Sequence, residues 1–200
     1  ELRIEIRKAD RLQLLLAVLS EELGMPESAG FPKINQNDSP EEAAATIREY
    51  LGFSVEQQLA IGDPASLYRE WRDVIFSKGV IPIQFGVDRD QALGFALWHD
   101  YAPLIAVNTR QSAEAKTFTL LHELAHIALR MPGVSDASIP FREIADGNSH
   151  SAIEAFCNRI AAATLLPADS SALSTALDSL SQGQSFDLDL FRKQARRFGV

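Results

Sequence analysis

A single cysteine, Cys157, stands among the 200 residues, so no disulfide can form within the chain. Stability must come from a packed core, and such sparing use of cysteine suits a reducing compartment. Long apolar runs are missing too. No stretch approaches the roughly 18 residues needed to cross a bilayer, and residues 2–23 are interrupted throughout by Arg, Lys, Asp and Glu. Neither a membrane span nor a signal peptide is expected, and the expected location is the cytoplasm. Basic charge is short as well: 19 Lys and Arg against 27 Asp and Glu leave a net charge of −8. Holding a phosphate backbone takes a concentrated excess of Lys and Arg, so this segment is not expected to bind nucleic acid directly. The one basic stretch, with Arg192, Lys193, Arg196 and Arg197, reads as a solvated helix face.

What is present describes an ordinary globular chain, with length for one main domain and an appendage. Leu12, Leu15, Leu16, Leu19 and Leu23 recur at helical spacing, which predicts an amphipathic helix over residues 3–23 that docks on the core. A coiled-coil partner helix is the alternative, although the heptads are few. Residues 26–40, rich in Pro, Gly and Asn, read as a linker. Ser39-Pro40-Glu41-Glu42 and Asp63-Pro64 are helix starts, each a capping residue followed by proline. They predict helices to about Leu51 and to about Gly79. Three β-rich runs follow, at 80–85, 93–98 and 104–107. A helix at about 112–130, a polar loop at 133–149, a helix at 151–166 ended by Pro167, and two further helical patterns complete the chain. The expected fold is α+β, mainly helical, with a small three-stranded and largely antiparallel sheet. Its expected divisions are an N-terminal helix and linker at 1–38, the main domain at 39–168 and a helical appendage at 169–200.

The chemistry-bearing residues sit on the helix at 112–130. His122 and His126 are four apart, so their imidazoles leave the same face one turn apart and can share a metal ion. Glu123 lies about a third of a turn from His122, off the metal but close enough to serve as a base. The neighbours Thr119, Leu120, Leu121, Leu124, Ala125, Ile127 and Ala128 are all uncharged, which predicts a buried helix. Two histidines and a glutamate there are costly to desolvate unless a divalent cation pairs with them.

A catalytic zinc takes a third protein ligand. One zincin class supplies a histidine six residues after the second, preceded by glycine, but Pro132 and Leu129 occupy those two places. The other class takes a glutamate from a downstream helix, where Glu154 is best placed. Ser151-Ala152-Ile153-Glu154 is equally a capping box, in which the glutamate only satisfies a helix end. Asn158, one turn after Glu154, would suit a hydrogen bond to a metal ligand or simply be exposed. Glu143, Asp136 and Asp146 read as solvated loop residues. His99, Tyr101 and His150 are candidates for stabilising an oxyanion. Cys157 reads as core.

In several blocks the chain resembles the ImmA/IrrE-type metallopeptidases of bacteria and their mobile elements. Residues 39–51 are similar to the family's opening helix, 68–85 to its helix-to-strand passage and 102–108 to its P-x-I-x-x-N strand. Residues 118–126 resemble its F-T-x-x-H-E-x-x-H core, and 154–167 its E-x-x-A-N-x-F-A-A-x-L-L-P helix, with Cys157 and Ile160 departing from the usual Ala and Phe. The resemblance covers about residues 40–167. It implies a zincin-like fold, with His122, His126 and Glu154 as ligands of Zn²⁺ or Mn²⁺ and Glu123 as the base of peptide hydrolysis. The implied substrate is a specific regulatory protein such as a DNA-binding repressor. The resemblance also implies a fragment of a longer regulator carrying a helix-turn-helix domain. The rival reading is a non-proteolytic, ligand-sensing metal module of a transcriptional regulator or a toxin–antitoxin system.

Overall fold

The helix starts written in the sequence are used as such in the computed structural model, which describes residues 1–24, 30–131, 133–135 and 149–167. After helix α1 (Leu2–Glu22), the Ser39 hydroxyl accepts from Glu42 N–H at 3.1 Å, and α2 (Pro40–Leu51) follows. It ends at Gly52, whose φ of 69° is the left-handed conformation that glycine adopts without strain. A short helix not anticipated above, α3 (Val55–Ile61), comes next, and α4 (Pro64–Ser77) starts at the Asp63 cap. The signal for α3 was present, since Ser54 and Gln57 form a reciprocal capping box.

The three expected strands form as β1 (Ile81–Phe85), β2 (Gly94–Leu97) and β3 (Leu104–Asn108). A fourth, β4 (Gly133–Ser135), joins them from the start of what read as a polar loop. The sheet order is β1-β3-β2-β4, with β1 parallel to β3 and the other two pairings antiparallel. Strand β3 is central and buried along its whole length. Its side chains alternate, Ile105 and Val107 into the main core and Leu104 and Ala106 into a second cluster on the other face. The main core is closed by α2, α4, α5 (Ala113–Ala128) and α6 (Ser149–Leu165), the second by α1. Mainly helical with a small mixed sheet, this is an α+β, zincin-like domain.

Helix α1 docks on the core as expected, through Ala9, Gln13 and Ala17 with Leu2 and Ile6 beside them, while most of its leucines lie outside the contact. Gln13 Nε2 donates to the carbonyls of Leu97 and Ala102 at 2.7 and 2.9 Å, and the two alanines allow the close approach this requires. Leu12, Leu15, Leu19 and Leu23 face outward.

Helix α6 is held at its C-terminal end by a device the residue pattern did not reveal. The last carbonyls of a helix have no partner within it. Buried Arg48 of α2 donates to Thr164 O at 2.6 Å, to Phe53 O at 2.8 Å and to Gln58 Oε1 at 2.9 Å, while Gln58 Nε2 donates to Leu165 O at 3.1 Å. Burial lowers the Arg48 pKa to about 10, so the guanidinium stays charged at the negative end of the α6 dipole. Arg48→Met is expected to cost about 3 kcal/mol, because three buried acceptors lose their donor. Urea unfolding checks this, and a loss within error of zero would remove the capping role. Among the described residues, no helix is long and apolar enough to cross a membrane.

Candidate metal centre

Helix α5 begins at Ser112, whose hydroxyl accepts from Ala115 N–H at 3.2 Å, and runs unbroken to Ala128. Every residue from Thr119 to Ala128 is buried, as the uncharged run predicts. One helical turn brings His122 Nε2 and His126 Nε2 to 3.2 Å from each other. Helix α6 packs against α5 and adds Glu154, with Oε2 at 3.1 Å from His122 Nε2 and Oε1 at 3.2 Å from His126 Nε2. Among the described residues, these three form the group able to hold a metal, and all three are buried.

The capping-box reading of Glu154 is overturned by where α6 starts. The helix begins at Ser149, so Glu154 lies past its first turn and its carboxylate faces α5. Asn158, one turn further along, accepts from His122 Nδ1–H at 2.9 Å. That bond fixes the tautomer: with the proton on Nδ1, His122 Nε2 turns a lone pair toward a carboxylate oxygen and a second imidazole. Such an arrangement is repulsive unless a second proton or a metal cation lies within it. Ligand atoms around a tetrahedral ion with bonds of about 2.0 Å are about 3.3 Å apart, close to the separations seen here. His126 Nδ1 is buried without a hydrogen-bond partner among the described residues, so this ring is anchored through Nε2. The residues fit a divalent ion.

The electrostatics agree. Burial, the largest influence on His122, disfavours its charged form, yet the Glu154 hydrogen bond and the Glu123 and Glu154 charges outweigh it and hold the pKa above 6.5. Glu154 is likewise penalised by burial, but hydrogen bonds to both histidines bring it down to about 2. The signs define a window. The raised His122 pKa stabilises the metal-free fold fully below 6.5 and less as the pH rises through the folded value; the depressed Glu154 pKa stabilises it above 4.5 and less toward 2. Without metal, thermal stability should therefore benefit most from this cluster between 4.5 and 6.5. Metal binding displaces the proton, so added zinc should raise the unfolding temperature more at about pH 8 than inside that window. Equal shifts at both would mean that zinc does not bind at His122.

Glu123 is wholly buried beside this group and outside its ligand set. Its neighbour across the helix–sheet contact is Gly94 in β2. A Cβ at Gly94 would lie 2.8 Å from Glu123 Oε1, 2.6 Å from Thr119 Cγ2 and 2.9 Å from Ala106 O. The helix is pinned at this spot by Gln111, which donates to Leu93 O at 2.8 Å and accepts from the Thr119 hydroxyl at 2.9 Å. Neither Gly94 nor Gln111 was singled out above, though a glycine inside a strand is itself a sign of close backbone approach. Gly94→Ala should leave metal content unchanged and, by displacing Glu123, slow any reaction that uses its carboxylate roughly tenfold to a hundredfold. Full activity with normal stability would show that the notch is not needed.

The remaining candidates are placed as follows. His99 Nδ1 accepts from Tyr101 N–H at 3.1 Å within the turn between β2 and β3, with the two rings 6.4 Å apart. His99 is not in the metal-binding group. His150 lies in the first turn of α6. Asp136, Glu143, Asp146 and the appendage at 169–200 lie outside the described residues. Cys157 is buried in the main core, where burial pushes its thiol pKa up and keeps it neutral.

Among known families, the model of Peptidase_M78, the IrrE N-terminal-like domain, matches residues 84–200. That is more than half of the chain and includes His122, Glu123, His126 and Glu154. No curated protein matches it.

Proposed function

Because the chain belongs to the IrrE N-terminal-like peptidase family, a family of metallopeptidases, we propose that it is a zinc-dependent endopeptidase acting on a specific regulatory protein. The observation that carries this reading is the buried triangle of His122, His126 and Glu154 with a fourth ionisable group, Glu123, beside it and not part of it. A structural site has no use for a base and usually fills its fourth position with a protein side chain. The described residues supply three ligands.

His122, His126 and Glu154 would hold the ion, which when bound supplies Lewis acidity to a scissile carbonyl and makes water acidic enough to attack near neutral pH. Asn158 keeps the His122 ring in the tautomer that offers Nε2. Glu123 takes the proton from the attacking water and passes it to the departing amine. Gly94 and the Gln111–Thr119 tether set the distance between α5 and the sheet, and so the place of the Glu123 carboxylate. Of the sheet's two edges, β4 lies against α5 and β1 against α4. An extended substrate segment added along β4 would gain main-chain hydrogen bonds there, with side-chain pockets providing selectivity.

A DNA-binding repressor in the cytoplasm is the substrate class we favour. The test is cleavage of candidate repressors by the purified chain, with chelation abolishing it and added Zn²⁺ or Mn²⁺ restoring it. Cleavage that survives complete metal removal would refute the proposal. A chain that holds metal but leaves every stably bound partner intact would instead be the non-proteolytic module.

A further inference from the structure

Helix α1 is apolar on two opposite sides, and the sheet covers only one. Ala9, Gln13 and Ala17 point into the protein with Leu2 and Ile6 beside them. On the other side, Ile4, Leu12, Leu14, Leu15, Val18 and Leu19 are exposed, with Leu23 at the helix end. Of the exposed large hydrophobic side chains among the described residues, only Phe76 lies elsewhere. Leu14, Leu15 and Leu23 are 62%, 57% and 74% exposed. Together these residues leave on the order of 600 Å² of apolar surface, with Ile4 set apart from the rest by Arg7, Lys8 and Arg11, at the upper end of what a monomer carries. The share each partner contributes to a standard interface is about 800 Å², so this face with its flanking charges is large enough for one.

We infer that this face is the interface of a homodimer in which two α1 helices pair antiparallel, crossing near Leu15. The charge pattern selects both the partner and the direction. Along the outward face, the N-terminal half carries Arg7, Lys8 and Arg11, while Glu21 and Glu22 stand at the C-terminal end, all exposed. An antiparallel crossing at Leu15 sets Leu15 against its own copy, Leu12 against Val18, Arg11 against Leu19, and Lys8, which in its own helix meets Glu5 at 2.8 Å, against Glu22. Parallel pairing would instead oppose Lys8 to Lys8 and Arg11 to Arg11, and like charges at such positions are unfavourable. A second copy therefore supplies both the apolar and the ionic complement of this face. Because Ala9, Gln13 and Ala17 are committed to the sheet, pairing requires no rearrangement of the fold.

The test is sedimentation velocity of the 200-residue chain at tens of micromolar, where a species of about twice 22.0 kDa is expected. Leu15→Glu, at an exposed position, should weaken association at least about a hundredfold and leave thermal stability and helix content unchanged. Lys8→Glu should weaken the dimer, and adding Glu22→Lys to the same chain should restore it. Direction is read by cross-linking: Leu15→Cys should form an intermolecular disulfide readily, and Ile4→Cys should not. A monomer throughout the concentration range overturns the inference and leaves the face to a different protein. A dimer untouched by Leu15→Glu, or rapid Ile4→Cys cross-linking, overturns the assigned face or direction.

Discussion

Glu123→Gln will keep its metal and lose about a thousandfold in cleavage rate. Glutamine matches glutamate in size, so Thr119 and Gly94 still receive the side chain, and the substitution removes only the carboxylate's ability to accept and return a proton. The ligand set of His122, His126 and Glu154 does not include residue 123, so metal content per chain should equal that of the natural protein. Binding of the substrate protein should also persist, because the loss falls on the chemical step. Metal content by elemental analysis, substrate affinity and single-turnover cleavage separate the three quantities. Undiminished cleavage would remove Glu123 from the mechanism. Loss of metal would instead make Glu123 a ligand.

Glu154→Ala should lower metal affinity by well over a hundredfold and abolish cleavage with it, since even residues that only orient a metal ligand contribute about tenfold to a hundredfold. The carboxylate is the only negatively charged member of the triangle and comes within 3.1 and 3.2 Å of both imidazole nitrogens. Without it, two neutral donors on one helix are left to attract a divalent ion in a buried site. Asn158→Ala should fall between the two, because it frees the His122 tautomer but leaves all three ligands. Glu143→Ala should change nothing. Competition with a chromophoric chelator measures each affinity, and the expected order is natural protein, Asn158→Ala, then Glu154→Ala. Metal binding unaffected by Glu154→Ala would place the third ligand elsewhere.

The helix caps were legible because they are local. A Ser or Asp followed by Pro orders its own neighbours, and so Ser39 and Asp63 both cap as a residue-by-residue reading predicts. The paired histidines were legible for the same reason, their spacing being set by a single helix. Glu154 was different. Whether it capped α6 or left that helix to meet α5 depended on where α6 begins, and two residues of helix before Ser151 decide it.

The amino-acid order by itself determined the periodicities, the Ser39 and Asp63 caps, and a helix with paired histidines that had to be buried, since each of these is settled within one or two turns of chain. Only the tertiary structure decided how the elements meet. It turned Leu12, Leu14, Leu15 and Leu19 of α1 away from the core, because small side chains and Gln13 allow closer contact with the sheet. It made Gly94 the seat of Glu123, and made Arg48 and Gln58 the cap of the helix that carries Glu154. The pairs involved are about thirty to over a hundred residues apart in the chain, beyond the reach of any local pattern. The His122-Glu123-Leu124-Ala125-His126 helix thus offered two candidate ligands and a candidate base from its own spacing, and the packing of α6 and β2 against it brought Glu154 and Gly94 to them.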